Sequence, residues 1–392
     1  MKQAVPLRQV KARSYLDWAA TAIPDPVPGN SGENGIIFGN PSSPHAEGRL
    51  AREALENARS RCARVLGIPP ERLYFTSGGT ESNALALHSL LRRKWKGRLL
   101  YSAIEHPSVR ENCHVLEKLG IPVSAIGVEK DGRVTVGTLT RALEKNPDAR
   151  FAAVMGVNNE TGALMDIASL VSLARTYGAK GPIHFHCDLV QALGKVPVDI
   201  SAWDLDSASF SGHKLGGPRG IGLLYLKKKL EVLYSGGEQE GGIRPGTENT
   251  HGALALADIL ERRATPAAVI EEGEKAGARL KYLIRELKKI KRCSLIPQDR
   301  EEDDTRFSPW ILQLRFADVP GAVMVRALDD SGIAVSTGSA CSSASPERPV
   351  LAAMGIDEPG RLEGLRISQG WSTDIQDIDA LLEGIEKALS YL

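Results

Sequence analysis

The chain has 392 residues and a nearly balanced charge, with 49 Lys and Arg against 48 Asp and Glu. This balance gives no global field that would recruit nucleic acid or an anionic membrane, so we expect small molecules and proteins as partners. No apolar run approaches the roughly 20 residues that span a bilayer, and the first residues lack a signal-peptide core. We therefore expect a cytoplasmic protein, with a transit peptide before Ser14 as the minor alternative.

The five cysteines are odd in number and widely spaced, which argues against a disulfide framework and for a reducing compartment. Cys62, Cys113, Cys187 and Cys293 lie in apolar or helical stretches, so we expect inert packed thiols there. Cys341 differs because it lies in a Gly/Ser/Pro-rich stretch, residues 336–349, which is typical of a mobile loop that carries chemistry.

Taken in chain order, an apolar face at helical spacing first predicts an amphipathic helix over residues 47–67. Short apolar runs then alternate with helical patterns, which predicts an α/β fold with a largely parallel sheet between helices. The predicted strands are 73–76, 99–102, 123–126, 151–157 and 183–188, with a helix at 167–177. Ligands of such sheets bind at the carboxyl ends of the strands, so we expect the functional site there.

The pattern changes from about His251 onward. A long charged helix is predicted at 267–293, a strand at 310–316 and a helix at 320–331. Residues 297–308, rich in acids and arginine, are predicted to form a solvated surface loop. We assign residues 15–250 to a large domain, and residues 1–14 with 251–392 to a smaller domain.

The first motif, Thr-Ser-Gly-Gly-Thr-Glu-Ser-Asn at 76–83, follows a strand and opens a helical pattern over 84–92. Its glycines let the backbone approach a phosphate, which the helix start attracts. An ordinary strand-to-helix turn capped by Thr80 fits the motif equally well.

The second motif places His184, His186 and Asp188 on one face of a strand. These groups are suited to hold a divalent metal, or Asp188 alone could bond a protonated ring nitrogen of a cofactor. Packed core histidines are the third interpretation, and Asp188 and Gln191 are the functional candidates.

The third motif, residues 207–214, is a short strand that ends in Lys214 and is followed by a glycine-rich turn. A lysine on such a turn in a cleft can lose solvent and act as a Schiff-base amine. A phosphate-binding turn, an acid at a strand end and this lysine are the parts that a pyridoxal-phosphate (PLP) site needs.

Several segments together resemble the cysteine desulfurases of the class V aminotransferase family, in the family's order and over nearly the whole chain. They are residues 15–21, 38–43, 105–106, 157–160, 211–214, 241–247 and 339–343. The resemblance implies a fold-type I PLP-dependent transferase, with a mostly parallel seven-stranded sheet in the large domain and a smaller α+β C-terminal domain. It also implies a homodimer with its sites at the subunit interface.

The resemblance assigns roles to individual residues. Lys214 would attach the cofactor, Asp188 would pair with its pyridine nitrogen, and Gln191 would bond its ring hydroxyl. His106 would stack on the ring and serve as a second acid or base. The other implied cofactor contacts are Gly79, Thr80, Asn159, Ser211, His213 and, from the other subunit, Thr247. Asn40, Asn159 and Arg366 match positions that hold the substrate carboxylate, and no resident metal is implied.

Cys341 would attack the sulfur of L-cysteine, leaving alanine and an enzyme persulfide. The sequence at 339–345 matches the long-loop group that supplies sulfur for iron–sulfur assembly and thiolation, which implies an acceptor protein as partner. Two departures stand out. Prolines and glycines occupy 22–37, where relatives carry a helix. The chain also ends at Leu392, directly after the helical pattern 374–391, so we expect the scaffold-docking tail to be short or missing.

Two alternatives remain open. One is a selenocysteine lyase or another class V PLP enzyme, such as an aminotransferase. The weaker one is a metal-dependent hydrolase that uses His184, His186 and Asp188.

Overall fold

The computed structural model describes residues 13–25, 31–32, 35–92, 97–177, 181–338 and 347–392. Cys341 and most of the stretch 336–349 lie outside these residues, so the prediction of a loop there stays a prediction. The described part of 22–37 includes a short antiparallel pair, β2 with β3, where relatives were expected to carry a helix.

The described helices fall between the strands and in the C-terminal part. They are α1 (Ala46–Leu66), α2 (Gly79–His88), α3 (Pro107–Lys118), α4 (Val136–Lys145), α5 (Ile167–Thr176), α6 (Thr250–Arg263), α7 (Pro266–Leu287), α8 (Gly321–Asp330), α9 (Pro349–Ala353), α10 (Glu358–Glu363) and α11 (Ile375–Leu389). None of them combines the length and the apolar character that a bilayer crossing needs.

The described strands are mostly short. They are β1 (Ser14–Tyr15), β2 (Ser31–Gly32), β3 (Gly35–Ile36), β4 (Leu73–Thr76), β5 (Arg98–Ser102), β6 (Val123–Ile126), β7 (Ala149–Ala153), β8 (His184–Asp188), β9 (Ser207–Ser211), β10 (Gly222–Leu226), β11 (Cys293–Ile296), β12 (Ile311–Phe316), β13 (Ile333–Ala334) and β14 (Gly364–Ser368).

Seven strands form the central sheet in the order β4-β10-β9-β8-β7-β5-β6. All neighbours pair in parallel except β10, which is antiparallel to both β4 and β9. The predicted α/β class with a mostly parallel seven-stranded sheet is therefore confirmed. Because β4, β5, β7, β8 and β9 run in the same direction, their carboxyl ends meet at one edge of the sheet.

Local sequence explains where α1 begins and ends. The His45 ring nitrogen Nδ1 accepts a hydrogen bond from the Gly48 amide (3.3 Å), and the helix ends at Gly67, whose φ of +63° suits a residue without Cβ. Leu55, Ala58 and Cys62 share its buried face, as the helical spacing predicted. This face packs on the central sheet and on α6.

A second hydrophobic cluster lies in the C-terminal part. It contains apolar side chains of α7, α8 and α11 and of the antiparallel sheet β11-β12-β14. Residues 14–21 form the N-terminal segment. Its Leu16 joins this cluster, whereas its Ala19 belongs to the cluster around the central sheet. The N-terminal segment thus connects the two cores through β1, which pairs in parallel with β13.

Two predictions for the C-terminal part are wrong in detail. The helix predicted at 267–293 ends at Leu287, because Cys293 begins β11 at the edge of the antiparallel sheet. The loop 297–308 is not simply solvated, since Arg300 is only 1% exposed. Its guanidinium donates to the carbonyls of Thr161 (3.0 Å) and Ser308 (3.2 Å) and so fixes the loop against the large core.

A buried ion pair fixes the short helical turn Gln239–Gly242, which precedes Thr247 in the chain. Arg59 of α1 donates to both carboxylate oxygens of Glu240 (2.7 and 2.6 Å) and to the Leu73 carbonyl (2.8 Å). Glu240 also accepts the amide of Phe75 in β4 (2.6 Å). The pair therefore ties α1, β4 and this segment together.

Replacing Arg59 tests how much this ion pair contributes to the free energy of unfolding. Arg59→Met leaves the buried Glu240 carboxylate without its cation, so we expect the free energy of unfolding in urea to fall by about 3 to 5 kcal/mol. The matched control is Arg64→Met on the same helix, where the side chain is 73% exposed. A loss no larger than that of the control would show that the pair does not stabilise the fold.

Candidate active site

A cavity of about 240 Å³ lies at the carboxyl edge of the central sheet. Most of the residues singled out from the sequence converge on it, although they come from distant parts of the chain. Those that line it are Gly79, Thr80, His106, Asn159, Asp188, Gln191, Ser211, His213, Lys214 and Arg366. The sequence thus predicted the residues, and the strand order brings them together.

Three predicted residues are not among those lining the cavity. Asn40 is exposed, and its side-chain oxygen accepts the Ser42 amide (2.9 Å). Thr247 is also exposed, and its assignment to the site of a second subunit stays a prediction. Cys341 lies outside the described residues.

One wall of the cavity is suited to an anionic group. Helix α2 begins at Gly79, and no side chain of the described residues caps its first turn. Thr80 lies inside the helix, so the alternative of a turn capped by Thr80 is wrong. A Cβ at Gly79 would lie 2.5 Å from Val190 Cγ2, so only glycine fits this approach. Helix-start amides and the helix dipole favour an anion here.

His213 completes this wall. Burial, with Lys214 and Arg219 nearby, lowers the pKa of His213 to about 4, so its imidazole is neutral at physiological pH. Its Nδ1 lies 3.0 Å from the hydroxyl oxygen of Thr21, which orients the ring. A neutral imidazole can donate a hydrogen bond to an anion without adding charge.

Lys214 lies on the short helical turn Gly212–Lys214 that directly follows β9. Its Nζ donates to the carbonyls of Ala19 (2.6 Å) and Ala20 (2.7 Å) in the N-terminal segment. This segment therefore holds the amine at the cavity wall, where part of its hydration is replaced by peptide carbonyls. A lysine in such a place is suited to act as a nucleophile or a base.

Asp188 ends β8 and is 6% exposed. One carboxylate oxygen accepts the Val190 amide (3.0 Å), and the other accepts the side-chain amide of Asn83 (2.8 Å). Hydrogen bonds to both oxygens fix the orientation of the carboxylate at the cavity wall. Asn83 belongs to the first motif but was given no role from sequence.

The histidines of β8 do not form a metal site with Asp188. His186 is fully buried, with Nε2 beside the Asn83 oxygen (2.9 Å) and Nδ1 beside the Ser207 hydroxyl (2.8 Å). His184 Nε2 also lies 2.7 Å from that hydroxyl. Burial lowers the pKa of His186 to about 3, so the ring is neutral. Within the described part of the chain, no group of three His, Cys, Asp or Glu side chains converges as a metal site.

His106 is the N-cap of α3, and its ring nitrogen Nδ1 accepts the Ser108 amide (3.1 Å). Because Nδ1 is an acceptor, the ring proton of the neutral form lies on Nε2. Burial, together with Lys214 and Arg110 and against the attraction of Asp188, lowers the pKa of His106. The ring is thereby kept neutral and able to exchange protons.

Arg366 of β14 is 1% exposed and reaches the cavity from the C-terminal sheet. Its guanidinium donates to Asp17 Oδ1 (2.6 Å) and to the Asn159 carbonyl (2.9 Å). Nε has no partner among the described residues. The sequence analysis gave Asp17 no role, although Asp17 lies in residues 15–21, one of the segments that carry the family resemblance.

The remaining described cysteines are poor nucleophiles. Burial raises the pKa of Cys62 and of Cys293 to about 12, and it raises the pKa of Cys113 and Cys187 as well. Thiolates are therefore scarce at these positions near neutral pH.

Glu105, next to His106, is a buried carboxyl that the sequence analysis gave no role. Its Oε1 accepts the Ser102 hydroxyl (2.5 Å) and the Met155 amide (2.7 Å), whereas Oε2 has no partner among the described residues. Burial, aided by Asp188, raises its pKa to about 8. At neutral pH the group is therefore a neutral acid.

This raised pKa predicts a pH-dependent stability. Between its ordinary pKa of 4.5 and about 8, the folded chain keeps the Glu105 proton that the unfolded chain loses, so its contribution to stability falls as pH rises. Glu105→Gln has no titrating proton at this position, so its stability should not fall with pH for this reason. When the free energy of unfolding in urea is measured at pH 5.5 and 7.5, the difference between variant and wild type should shift in favour of the variant by up to about 1.4 kcal/mol per pH unit. A pH-independent difference, as expected for exposed Glu144→Gln, would contradict this assignment.

Comparison with known proteins places this arrangement in a family. The model described as Aminotransferase class-V matches residues 14–381. The cysteine desulfurase IscS of Dictyoglomus turgidum is 35% identical over 396 residues, covering 98% of this chain and 96% of that protein. A solved NifS-like protein has a TM-score of 0.86 at 29% identity, covering 97% of this chain and 100% of that one.

A second solved NifS-like protein, from Rickettsia africae, has a TM-score of 0.82 at 28% identity and covers 97% of this chain and 100% of that one. These likenesses confirm the fold that the sequence motifs predicted. The chain belongs to the class V aminotransferase family.

Proposed function

We propose that this protein is a PLP-dependent cysteine desulfurase, which converts L-cysteine to L-alanine and collects the sulfur on Cys341 as a persulfide. The observation that carries the proposal is the position of Lys214 Nζ in a cavity that also holds Asp188 and the start of α2. The similarity to IscS over 98% of the chain supports the choice of substrate.

The residues present fit the cofactor. The uncapped start of α2, Ser211 and neutral His213 suit its phosphate. Asp188, with both oxygens accepting hydrogen bonds, suits a protonated pyridine nitrogen, and the Gln191 amide suits the ring hydroxyl. Gly79, Thr80 and Asn159 complete the proposed contacts, His106 would stack on the ring, and Lys214 is the proposed point of covalent attachment.

When bound, PLP would supply an electron-accepting ring that weakens bonds at the substrate carbons. The chain supplies the rest. Arg366 and Asn159 would hold the substrate carboxylate, with Asn40 as a further proposed contact. Lys214 Nζ would receive and return a proton at the substrate carbon, and His106 would do so through Nε2.

Sulfur transfer needs one further nucleophile. The Cys341 thiolate would attack the substrate sulfur, forming an S–S bond while the bond between carbon and sulfur breaks. The carbon takes up a proton, so cysteine and the enzyme thiol give alanine and the enzyme persulfide without an external oxidant. The other cysteines are unsuited because burial raises their pKa values.

The proposal extends to the assembly. We propose a homodimer in which Thr247, exposed in this chain, completes the site of the other subunit. The persulfide would pass to a cytoplasmic acceptor protein of iron–sulfur assembly or thiolation. We also propose a smaller domain made of residues 1–14 and 251–392, beside the large domain 15–250; the separate hydrophobic cluster of α7, α8, α11 and the sheet β11-β12-β14 supports a second folding unit in the C-terminal part.

The nucleophile can be tested by mass spectrometry. After incubation with L-cysteine, the peptide that contains Cys341 should gain one sulfur atom, and Cys341→Ala should abolish persulfide formation and lower sulfide release at least about a hundredfold. Cys293→Ala is the matched control and should behave as the wild type. Normal sulfide release by Cys341→Ala would refute the assignment, and retained release of selenium alone would favour a selenocysteine lyase.

The attachment point can be tested by chemical trapping. Borohydride reduction of the PLP-loaded protein should leave a pyridoxyl group on the peptide that contains Lys214. Lys195 is an internal control, because it is a buried lysine that does not line the cavity. Label on Lys195, or a protein that takes up no PLP, would overturn the proposal.

A further inference from the structure

Lys195 is a buried cation that the proposed mechanism does not use. It is 3% exposed, and its Nζ donates to the side-chain oxygen of Gln191 (2.9 Å). Within the described part of the chain it makes no ion pair, and the Trp371 ring centroid lies 6.0 Å away. Burying an ammonium group with only a neutral amide as its hydrogen-bond partner is costly.

The backbone turn at Gly194 places Lys195 on the side of Gln191 that faces away from the cavity. Gly194 has a φ of +73°, and a Cβ there would lie 2.4 Å from Leu215 Cδ2, so this turn requires glycine. The turn brings Lys195 back toward Gln191. The Trp310 indole nitrogen then donates to the Lys195 carbonyl (2.7 Å) and fixes the backbone.

Lys195 and the Ala19 carbonyl contact opposite ends of the Gln191 amide and favour the same orientation. In its protonated form Lys195 has three donors and no acceptor, so it faces the amide oxygen rather than the amide nitrogen. The Gln191 nitrogen is consequently turned to the other side, where it donates to the Ala19 carbonyl (2.8 Å). That carbonyl also accepts Lys214 Nζ (2.6 Å), so the nitrogen of Gln191 faces the side of the attachment lysine.

Two further cations, both lining the cavity, lie near Lys195. Burial, with Lys214 and Arg366 nearby, lowers its pKa to about 7. These three cations lie close together, and Gln191 separates Lys195 from the cavity. An anionic oxygen bound in the cavity beside Gln191 would be attracted by Lys195 and Lys214, and it would accept an amide hydrogen of Gln191.

We propose that Lys195 is a positioning residue that holds Gln191 with its amide nitrogen toward the ring oxygen of the cofactor. Without the ammonium group, the amide could turn and present its oxygen to that ring oxygen, which would repel it. The inference rests on the proposed function, because it takes PLP as the molecule in the cavity.

The test is a double-mutant cycle on PLP affinity. Lys195→Met removes the donor but keeps an unbranched apolar side chain beside Trp371. In the full-length apoprotein, followed by the near-visible absorbance that PLP acquires on binding, the variant should bind PLP about five- to tenfold more weakly than the wild type. In a Gln191→Ala background the same substitution should change the affinity less than about twofold.

A merely structural role would give a different pattern. An equal loss in both backgrounds, or no loss in either, would overturn the inference. Lys228→Met, which replaces an exposed lysine, is the matched control and should leave the affinity unchanged. If the wild type bound no PLP, the proposed function would fail rather than this inference alone.

A second variant keeps the test valid if Lys195→Met does not fold. Gln191→Glu retains oxygens that accept from Lys195 but has no N–H to offer the ring. We expect it to stay folded and to bind PLP at least as weakly as Gln191→Ala. Affinity equal to that of the wild type would refute the orientation of Gln191 on which the inference depends.

Discussion

The common direction of six strands in the central sheet is the constraint on which the rest of this molecule depends. Because β4, β5, β7, β8 and β9 end at the same edge, residues more than a hundred positions apart meet in one cavity. Helix α2 starts there with an uncapped first turn, and Lys214 follows β9 there. The site is thus a direct consequence of sheet topology, as the general rule for open α/β sheets requires.

The N-terminal segment has a structural role that its length does not suggest. The carbonyls of Ala19 and Ala20 accept Lys214 Nζ, and the Ala19 carbonyl also accepts the Gln191 amide. Asp17 accepts Arg366 from the C-terminal sheet. The segment therefore orients the amine, the amide and the guanidinium together, and it connects the two hydrophobic cores while doing so.

Burial determines the charges of the site. Desolvation lowers the pKa values of His106 and His213 and raises that of Glu105, so three titratable groups are neutral near neutral pH. Lys214 and the start of α2 attract anions at the cavity, Asp188 lines it as well, and Arg366 is paired with Asp17. Such an arrangement suits a phosphate and a carboxylate bound side by side, which is what the proposed cofactor and an amino-acid substrate would bring.

The sequence alone predicted the fold class and ten of the fifteen residues that line the cavity, because strand periodicity and short motifs, including those that carry the family resemblance, are local properties. It predicted Asp188, Gln191 and Lys214 from their places at strand ends. It misjudged Arg300 and the end of α7, since an arginine among acids looks solvated and a charged helix continues smoothly in pattern up to Cys293. Only the packing of β11 and of the loop 297–308 decides those points.

The tertiary structure alone decided the contacts between distant residues. Nothing in the sequence around Lys195 indicates that its ammonium group lies against Gln191, because its burial depends on Trp310 and Trp371 from the C-terminal part. The same holds for Asp17 with Arg366 and for Asn83 with Asp188. Motifs identify which residues have chemical potential, whereas the partners that fix their protonation and orientation arise from long-range packing, which a single sequence does not encode locally.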